Sequence, residues 1–347
     1  MGNSAGKSAL CGGGDLKRLS FRLSALFLLI SILPLVACSG FGRQDSPTGE
    51  LMHLRLPMGY IPDPQYAPLY VASGKGYFAE EGLLIDFDYS SETDGIALVG
   101  ANEVPFSLAG GDQAILARAQ GLPIVYVTEW FQKYPIAIVS REEAGIKTPQ
   151  DLIGRTVGLP GFFGTSYVGY VGLLSANGIS QDQVQATDVG FTQVEALLSD
   201  QAEAVVVFAN NEPIQLENMG VPVNTLQVAD YIDLVHNGIV TNEETIANNP
   251  ELVEGFVRAF LRGLAYTLDN PDEAYEISKQ YVEGLDDSRR DVLLASLDFW
   301  RADTLGLTEE ASWQRTQDLL IEMGLLDKPV SDLPAAFTNE FVLKVQP

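Results

Sequence analysis

Apolar and polar residues alternate over a short stretch near residue 54, and this pattern predicts the strand that begins the folded part of the chain. The alternation covers residues 54–58 and stops before Pro62 and Pro64, because proline has no N–H to donate to a neighbouring strand. Apolar residues then recur at helical spacing from Ala67 onward. Ligands of open α/β sheets bind at the carboxyl ends of strands, so the loop 59–66 is predicted to contact a ligand.

Short apolar runs continue along the chain and are mostly followed by helical patterns. After Pro250 a long apolar stripe has helical spacing, which is typical of a helix that faces the core. Strands that alternate with helices predict an α/β fold. The further predicted strands cover residues 84–89, 103–108, 123–128, 136–139, 156–159, 189–191 and 204–208.

The first 38 residues have a different pattern, with basic residues ahead of an uninterrupted apolar run. Lys17, Arg18 and Arg22 precede the run 23–36, which ends in the sequence LVAC at Cys38. This pattern predicts a lipoprotein signal peptide over residues 1–37 and a lipid on Cys38. The alternative is an uncleaved transmembrane anchor, for which the run is short. The polar, glycine-containing residues 38–50 are predicted to be a flexible tether.

Charge and composition exclude several classes of function. The formal net charge is −25, from 21 basic and 46 acidic residues, so the chain would repel the phosphate backbone of a nucleic acid. Cys11 and Cys38 are the only cysteines, which leaves the folded part without a disulfide or a thiol nucleophile. His53 and His236 stand far apart and match no metal-binding spacing. We therefore expect no metal, no cofactor and no nucleic-acid partner.

Aromatic and polar residues gather in the loops that follow the predicted strands. Aromatic rings can hold a flat heteroaromatic ligand, each offset stack adding about 1 kcal/mol, while polar side chains bind its edges. Each of these rings could equally close the core, and Thr165 or Ser166 could cap a helix instead. The candidate ligand-binding residues are Gly59, Tyr60, Gln65, Tyr66, Asp94, Gly111, Gln113, Trp130, Tyr134, Phe162, Gly164, Thr165, Ser166, Tyr167, Asn210 and Glu212.

Two stretches of the chain resemble a known family of transport receptors. They read GYIPDPQYAPLYVASGKGYFAEEGL and ETDGIALVGANEVPFSLAGGDQAILARAQGLPIVYV. The sequence resembles the extracytoplasmic solute-binding proteins of ABC importers, in the branch that contains sulfonate, taurine and thiamine-pyrimidine receptors. Within that branch it is most similar to the riboflavin-binding receptors. The resemblance extends from about residue 54 to about residue 271.

The resemblance implies a two-lobed periplasmic-binding-protein fold of type II, also called a Venus flytrap. Lobe 1 is then expected at residues 51–140 and 241–347, and lobe 2 at residues 141–240. The resemblance also implies a separate membrane permease and ATPase as partners. The expected location is the extracytoplasmic face of the cell membrane, held there by the lipid on Cys38.

Three functions remain open at this point. Capture of riboflavin is favoured, because the loops are rich in aromatic residues and contain no convergent group of lysines and arginines for a phosphate or sulfonate. A receptor for a thiamine-precursor pyrimidine would need a smaller pocket. An enzyme of the same fold, like the yeast-type pyrimidine synthases, would need the histidine and the cysteine cluster that this sequence lacks.

Overall fold

The computed structural model describes residues 50–346. The predicted signal peptide, Cys38 and most of the predicted tether lie outside these residues. Ten strands are present in the described part of the chain: β1 (Met52–Gly59), β2 (Leu83–Ser91), β3 (Ser107–Gly110), β4 (Ile124–Glu129), β5 (Ile136–Arg141), β6 (Thr156–Leu159), β7 (Gln185–Asp188), β8 (Ala204–Phe208), β9 (Val223–Gln227) and β10 (Asn237–Asn242).

Helices connect or cover these strands, which confirms the predicted α/β class. Within residues 50–346 no helix combines the length and the apolarity needed to cross a membrane. The α-helices are α1 (Ala67–Gly74), α2 (Tyr77–Glu80), α3 (Glu92–Gly100), α4 (Gly111–Ala119), α5 (Gly164–Ala176), α6 (Gln193–Leu198), α7 (Glu212–Asn218), α8 (Glu243–Asn248), α9 (Pro250–Asp269), α10 (Pro271–Ser278), α11 (Arg290–Trp300), α12 (Glu310–Glu322) and α13 (Glu340–Val345).

The strands divide into two groups, which define two lobes. In the first lobe β1 pairs with β2 in parallel, and β10 pairs antiparallel with both β3 and β4. The β1–β2 pair lies beside β3, where the Ser107 hydroxyl donates to the Pro57 carbonyl at 3.3 Å. The second lobe is one five-stranded sheet in the order β7-β6-β8-β5-β9. The first lobe therefore has two sheets and the second has one, with the chain passing between the lobes after β4 and after β9.

The strand pairing shows that the chain passes between the two lobes at other positions than those expected from the sequence. The expected boundary at residue 140 assigned β5 to the first lobe, but β5 pairs with β8 and β9 of the second. The expected return at residue 241 assigned most of β10 to the second lobe, but β10 lies between β3 and β4. β5 is mostly apolar, whereas β10 has Ile239 and Val240 within a polar stretch, and neither sequence reveals its pairing partners. The connecting segments are residues 130–135 and 228–236.

One predicted strand is absent from its predicted position. The apolar residues at 189–191 suggested a strand, but β7 ends before them and Gly190 turns the chain with φ of +58°. A positive φ is incompatible with a strand and is accessible to glycine at little cost. The turn leaves the Phe191 side chain 67% exposed.

The core of the first lobe is built where α1 and α9 meet the β1–β2 pair. The apolar stripe after Pro250 is buried as predicted, with Phe256, Phe260 and Leu264 fully inaccessible. A second core cluster contains Trp313 of α12, whose ring stacks on Phe337 at 4.9 Å. Helix α12 packs on both α4 and α5, so the C-terminal region contacts both lobes.

Candidate ligand site

The candidate ligand site lies where the carboxyl ends of β1 and β3 in the first lobe meet those of β6 and β8 in the second. Two contacts bring the lobes together there. The rings of Tyr60 and Phe191 meet at 5.6 Å between centroids, with their planes inclined by 60°. The Tyr134 hydroxyl, in the segment that follows β4, donates to the Thr165 carbonyl at 2.8 Å. We call the space bounded by these loops the cleft.

Asn210, in the loop after β8, forms hydrogen bonds to the first lobe. Its Nδ2 donates to Gln65 Oε1 at 2.9 Å and to Ser296 Oγ at 2.7 Å. Asn210 is fully buried, and its Oδ1 has no hydrogen-bond partner among the described residues. A buried amide oxygen without a partner is costly, so it is an available acceptor for a ligand donor.

Arg289 forms a second connection between the lobes. Its Nη2 lies 2.5 Å from Asp63 Oδ2 in the loop after β1 and donates to Asn211 Oδ1 at 3.1 Å. Burial raises the pKa of Asp63, and the Arg289 charge opposes that rise. The guanidinium is therefore engaged by a carboxylate before any ligand arrives.

Glu92 and Asp112 place two carboxylates on the first-lobe side of the cleft. Glu92 begins α3 and accepts the Gly110 N–H at 2.5 Å, while Asp112 in the first turn of α4 accepts from Gln113 Nε2 at 2.9 Å. Burial, followed by the neighbouring Asp112 charge, raises the pKa of Glu92 to about 8. Burial also raises the pKa of Asp112. The two groups have no salt-bridge partner within residues 50–346.

Glu212 places a third carboxylate on the second-lobe side. It begins α7, and its Oε2 accepts the Phe208 N–H at 3.0 Å. Burial raises its pKa to about 7 in spite of the backbone hydrogen bonds that stabilise the charged form. Burial, with Glu212 and Asp63 nearby, also raises the pKa of the Tyr60 phenol to about 12. The cleft therefore offers many acceptors and little positive charge.

A group of aromatic rings lies beneath the loop after β1. Tyr66 donates its hydroxyl to the Met58 carbonyl at 2.9 Å, and its ring lies 5.5 Å from that of Trp130. Trp130 also contacts Phe131 and Trp300, at 4.9 and 5.9 Å, and is 3% exposed. Tyr66 and Trp130 are thus packed in the core of the first lobe, behind the more accessible Tyr60.

Most of the residues predicted as a site lie in the loops or helix starts around the cleft. Gly111 has a packing reason to be glycine, since a Cβ there would lie 2.0 Å from Val235 Cγ1. Thr165 does not cap α5, whose N-cap is Phe163 without a side-chain hydrogen bond. The predicted residues in this group are Gly59, Tyr60, Gln65, Tyr66, Gly111, Gln113, Tyr134, Gly164, Thr165, Ser166, Asn210 and Glu212.

Three other predicted residues make contacts elsewhere. Asp94 is exposed and accepts from the Ser91 hydroxyl at 2.7 Å, so its carboxylate serves the start of α3 rather than the cleft. Phe162 and Tyr167 pack edge to face at 5.6 Å, and the Tyr167 hydroxyl donates to Gln181 at 3.0 Å. These two rings cover a surface of the second lobe.

Sequence reasoning missed several residues that the fold brings to the cleft. Glu92 was not among the candidates, although Ser91, which an acidic residue follows three positions later, is a helix-start signal. Arg289 and Ser296 belong to C-terminal helices that contained no recognisable motif. Phe191 was assigned to a strand. A contact made by a distant helix leaves no local signal in the sequence.

Comparison with known proteins identifies the family. The model of the family described as NMT1/THI5 like matches residues 63–274. The chain belongs to this family. The riboflavin-binding protein RibY of Chloroflexus aurantiacus is 43% identical over 84% of this chain and 86% of its own length. A formylaminopyrimidine-binding protein of Halalkalibacterium halodurans is 31% identical over 74% of this chain and 78% of its own.

A solved structure supports the fold of this NMT1/THI5-like protein. The periplasmic aliphatic sulphonate-binding protein SsuA of Escherichia coli has a TM-score of 0.69 at 17% identity, covering 83% of this chain and 92% of that one. At this identity the likeness concerns the fold alone. The predicted periplasmic-binding-protein fold is confirmed.

We expect Glu92 to lower stability as the pH rises. Its pKa is raised from 4.5 to about 8, so the folded protein holds a proton that the unfolded chain has released. The free energy of unfolding should therefore fall between pH 5 and pH 8.5. The fall should be smaller in Glu92→Gln by about 1 kcal/mol or more, as measured by urea denaturation at both pH values.

The control is Glu103→Gln, which removes an exposed carboxylate beyond the other end of α3 and should show the same pH dependence as the wild type. Identical pH dependence in Glu92→Gln and wild type would contradict this account of the cleft.

Proposed function

We propose that this protein captures riboflavin outside the cell and delivers it to the membrane permease of an ABC importer. The observation that supports this most strongly is the 43% identity to the riboflavin-binding protein RibY, which covers 86% of that protein. The cleft suits such a ligand, since aromatic rings and acceptor groups lie together at the strand ends. The protein binds and transfers its ligand and does not transform it.

Ligand entry requires the lobes to separate. The Tyr60 and Phe191 rings are 5.6 Å apart, whereas a flat ring held between two others needs about 7 Å, because each carbon contact is about 3.5 Å. The connecting segments 130–135 and 228–236 act as the hinge between an open and a closed form. The ligand first binds one lobe of the open form. Closure then brings the other lobe into contact with the ligand, and the permease recognises the closed form.

Membrane attachment through lipid on Cys38 is part of the proposal. The sequence LVAC that ends the apolar run supports it, and Cys38 precedes the described residues by a short polar segment. Several acyl chains on one cysteine and its amino group would hold the protein firmly at the extracytoplasmic face.

The anchor is tested by cell fractionation of cysteine variants. Cys38→Ser should move the protein from the membrane fraction to the soluble fraction, because no lipid can be attached. Cys11→Ser is the matched control and should leave the protein in the membrane fraction. A Cys38→Ser variant that remains in the membrane fraction would favour an uncleaved transmembrane segment.

A thiamine-precursor pyrimidine is the second candidate ligand. The 31% identity to a formylaminopyrimidine-binding protein, over 74% of this chain, favours it specifically. A pyrimidine is about a third of the size of a flavin ring system with its side chain, so the two ligands are distinguishable by affinity.

Calorimetric titration with riboflavin and with an aminopyrimidine separates the two proposals. We expect heat and flavin fluorescence quenching with riboflavin, and a rise in Kd of about 5- to 200-fold in Tyr60→Ala, which corresponds to about 1 to 3 kcal/mol. Tyr167→Phe, which removes only the hydroxyl bound to Gln181, is the control and should bind riboflavin normally. Binding of the pyrimidine without binding of riboflavin would reject the favoured ligand.

A further inference from the structure

The carboxylate pair of Glu92 and Asp112 has acceptor capacity that the protein does not use. Asp112 is 1% exposed, and only its Oδ2 accepts a hydrogen bond, from Gln113; Oδ1 has no partner within the described residues. Glu92 keeps part of its surface accessible at the cleft and uses Oε1 for the Gly110 N–H. Buried acceptors without donors are rare because they cost free energy, and they therefore indicate a missing partner.

Thr165 brings a second unpaired group to the same place from the other lobe. It is 5% exposed, and its Oγ1 has no partner among the described residues. A Cβ built on Gly110 would lie 2.3 Å from Asp112 Oδ1 and 2.8 Å from Thr165 Oγ1. Oxygens from both lobes thus converge beside Gly110, where the backbone carries no side chain, and the nearby Thr165 hydroxyl lowers the pKa of Asp112.

Above the Glu92 pKa of about 8, the charges around this point are negative or paired. The neighbouring charge that acts on Glu92 is Asp112, which raises its pKa, and no salt bridge reaches either group within residues 50–346. Arg289 is paired with Asp63. Glu212 adds a further buried carboxylate on the second-lobe side. An anion brought beside Glu92 and Asp112 would meet carboxylates, while the Arg289 guanidinium of the cleft is paired with Asp63 through Nη2 and keeps its Nε without a partner among the described residues.

We infer that the Glu92–Asp112 pair, with Thr165, binds the hydroxyl groups of a neutral polyol side chain and excludes the phosphate ester of the same ligand. Hydroxyl groups donate to carboxylates in short, strong hydrogen bonds, which would occupy the free acceptor atoms. A phosphate ester carries about −1.5 to −2 charges and cannot donate from its ionised phosphate oxygens, so the esterified end of the polyol would meet repulsion from the carboxylates. This inference rests on the proposed function and specifies the chemical form of flavin that is taken.

The test is calorimetric titration of the full protein with three flavins at pH 9, where Glu92, with a pKa of about 8, is mostly ionised. Riboflavin carries the neutral polyol, flavin mononucleotide carries its phosphate ester, and lumiflavin has a methyl group in place of the polyol. Wild type should bind riboflavin at least about 100-fold more tightly than flavin mononucleotide, and lumiflavin should lose the contribution of the hydroxyl groups.

Variants then assign this selectivity to the pair. Asp112→Asn should reduce the preference for riboflavin over flavin mononucleotide by about tenfold, because it removes one charge and one strong acceptor. Its affinity for lumiflavin should stay within about threefold of wild type, since lumiflavin has no hydroxyl groups to bind there. Glu92→Gln should shift the preference in the same direction, and Glu103→Gln should leave it unchanged.

The outcomes separate this inference from the proposed function. If wild type binds riboflavin and flavin mononucleotide equally, the protein is a flavin receptor and the inference is wrong. A preference that persists unchanged in Asp112→Asn and Glu92→Gln also overturns it. If wild type binds none of the three flavins, the proposed function fails and the inference fails with it.

Discussion

The cleft depends on polar side chains that are buried at the strand ends. Burial raises the pKa of Glu92 to about 8 and that of Glu212 to about 7, and the Asn210 and Asp112 oxygens lack full pairing among the described residues. An isolated domain gains nothing from such groups, since each unmade hydrogen bond costs about 1 to 3 kcal/mol. A ligand that supplies the missing donors would recover this free energy on binding.

The topology explains why these groups can be held in place. The strands divide between the lobes, and the first core cluster includes Tyr66 and Trp130, so core packing holds the loops at the strand ends in place. At the cleft, contacts between the lobes are polar or between the edges of rings, such as Asn210 with Gln65 and Tyr60 with Phe191, whereas the second core cluster continues from the first lobe into the second. Contacts at the cleft can break and reform at modest cost, whereas the shared aliphatic cluster continues to hold the lobes together.

The sequence predicted the strands and helices better than the contacts between the two lobes. Periodicity located the first strand, the α9 stripe and the loops of the cleft, because each depends on neighbouring residues. It did not assign β5 and β10 to their sheets, since neither the apolar residues of β5 nor Ile239 and Val240 of β10 indicate a pairing partner. Asp94 was chosen over Glu92 on the same helix, because only the fold shows which of the two faces Gly110. Arg289 and Ser296 reach the cleft from a region without motifs, and only tertiary packing places them there.

The claim that ligand is held between the two lobes is tested most directly by hydrogen exchange at two amides. Gly110 N–H donates to Glu92 in the first lobe, and Phe208 N–H donates to Glu212 in the second. Saturating riboflavin should slow exchange at both amides together, by about tenfold or more, because closure removes them from solvent. Slower exchange at only one of them, or at neither, while flavin fluorescence shows that riboflavin is bound, would contradict a site shared by the two lobes.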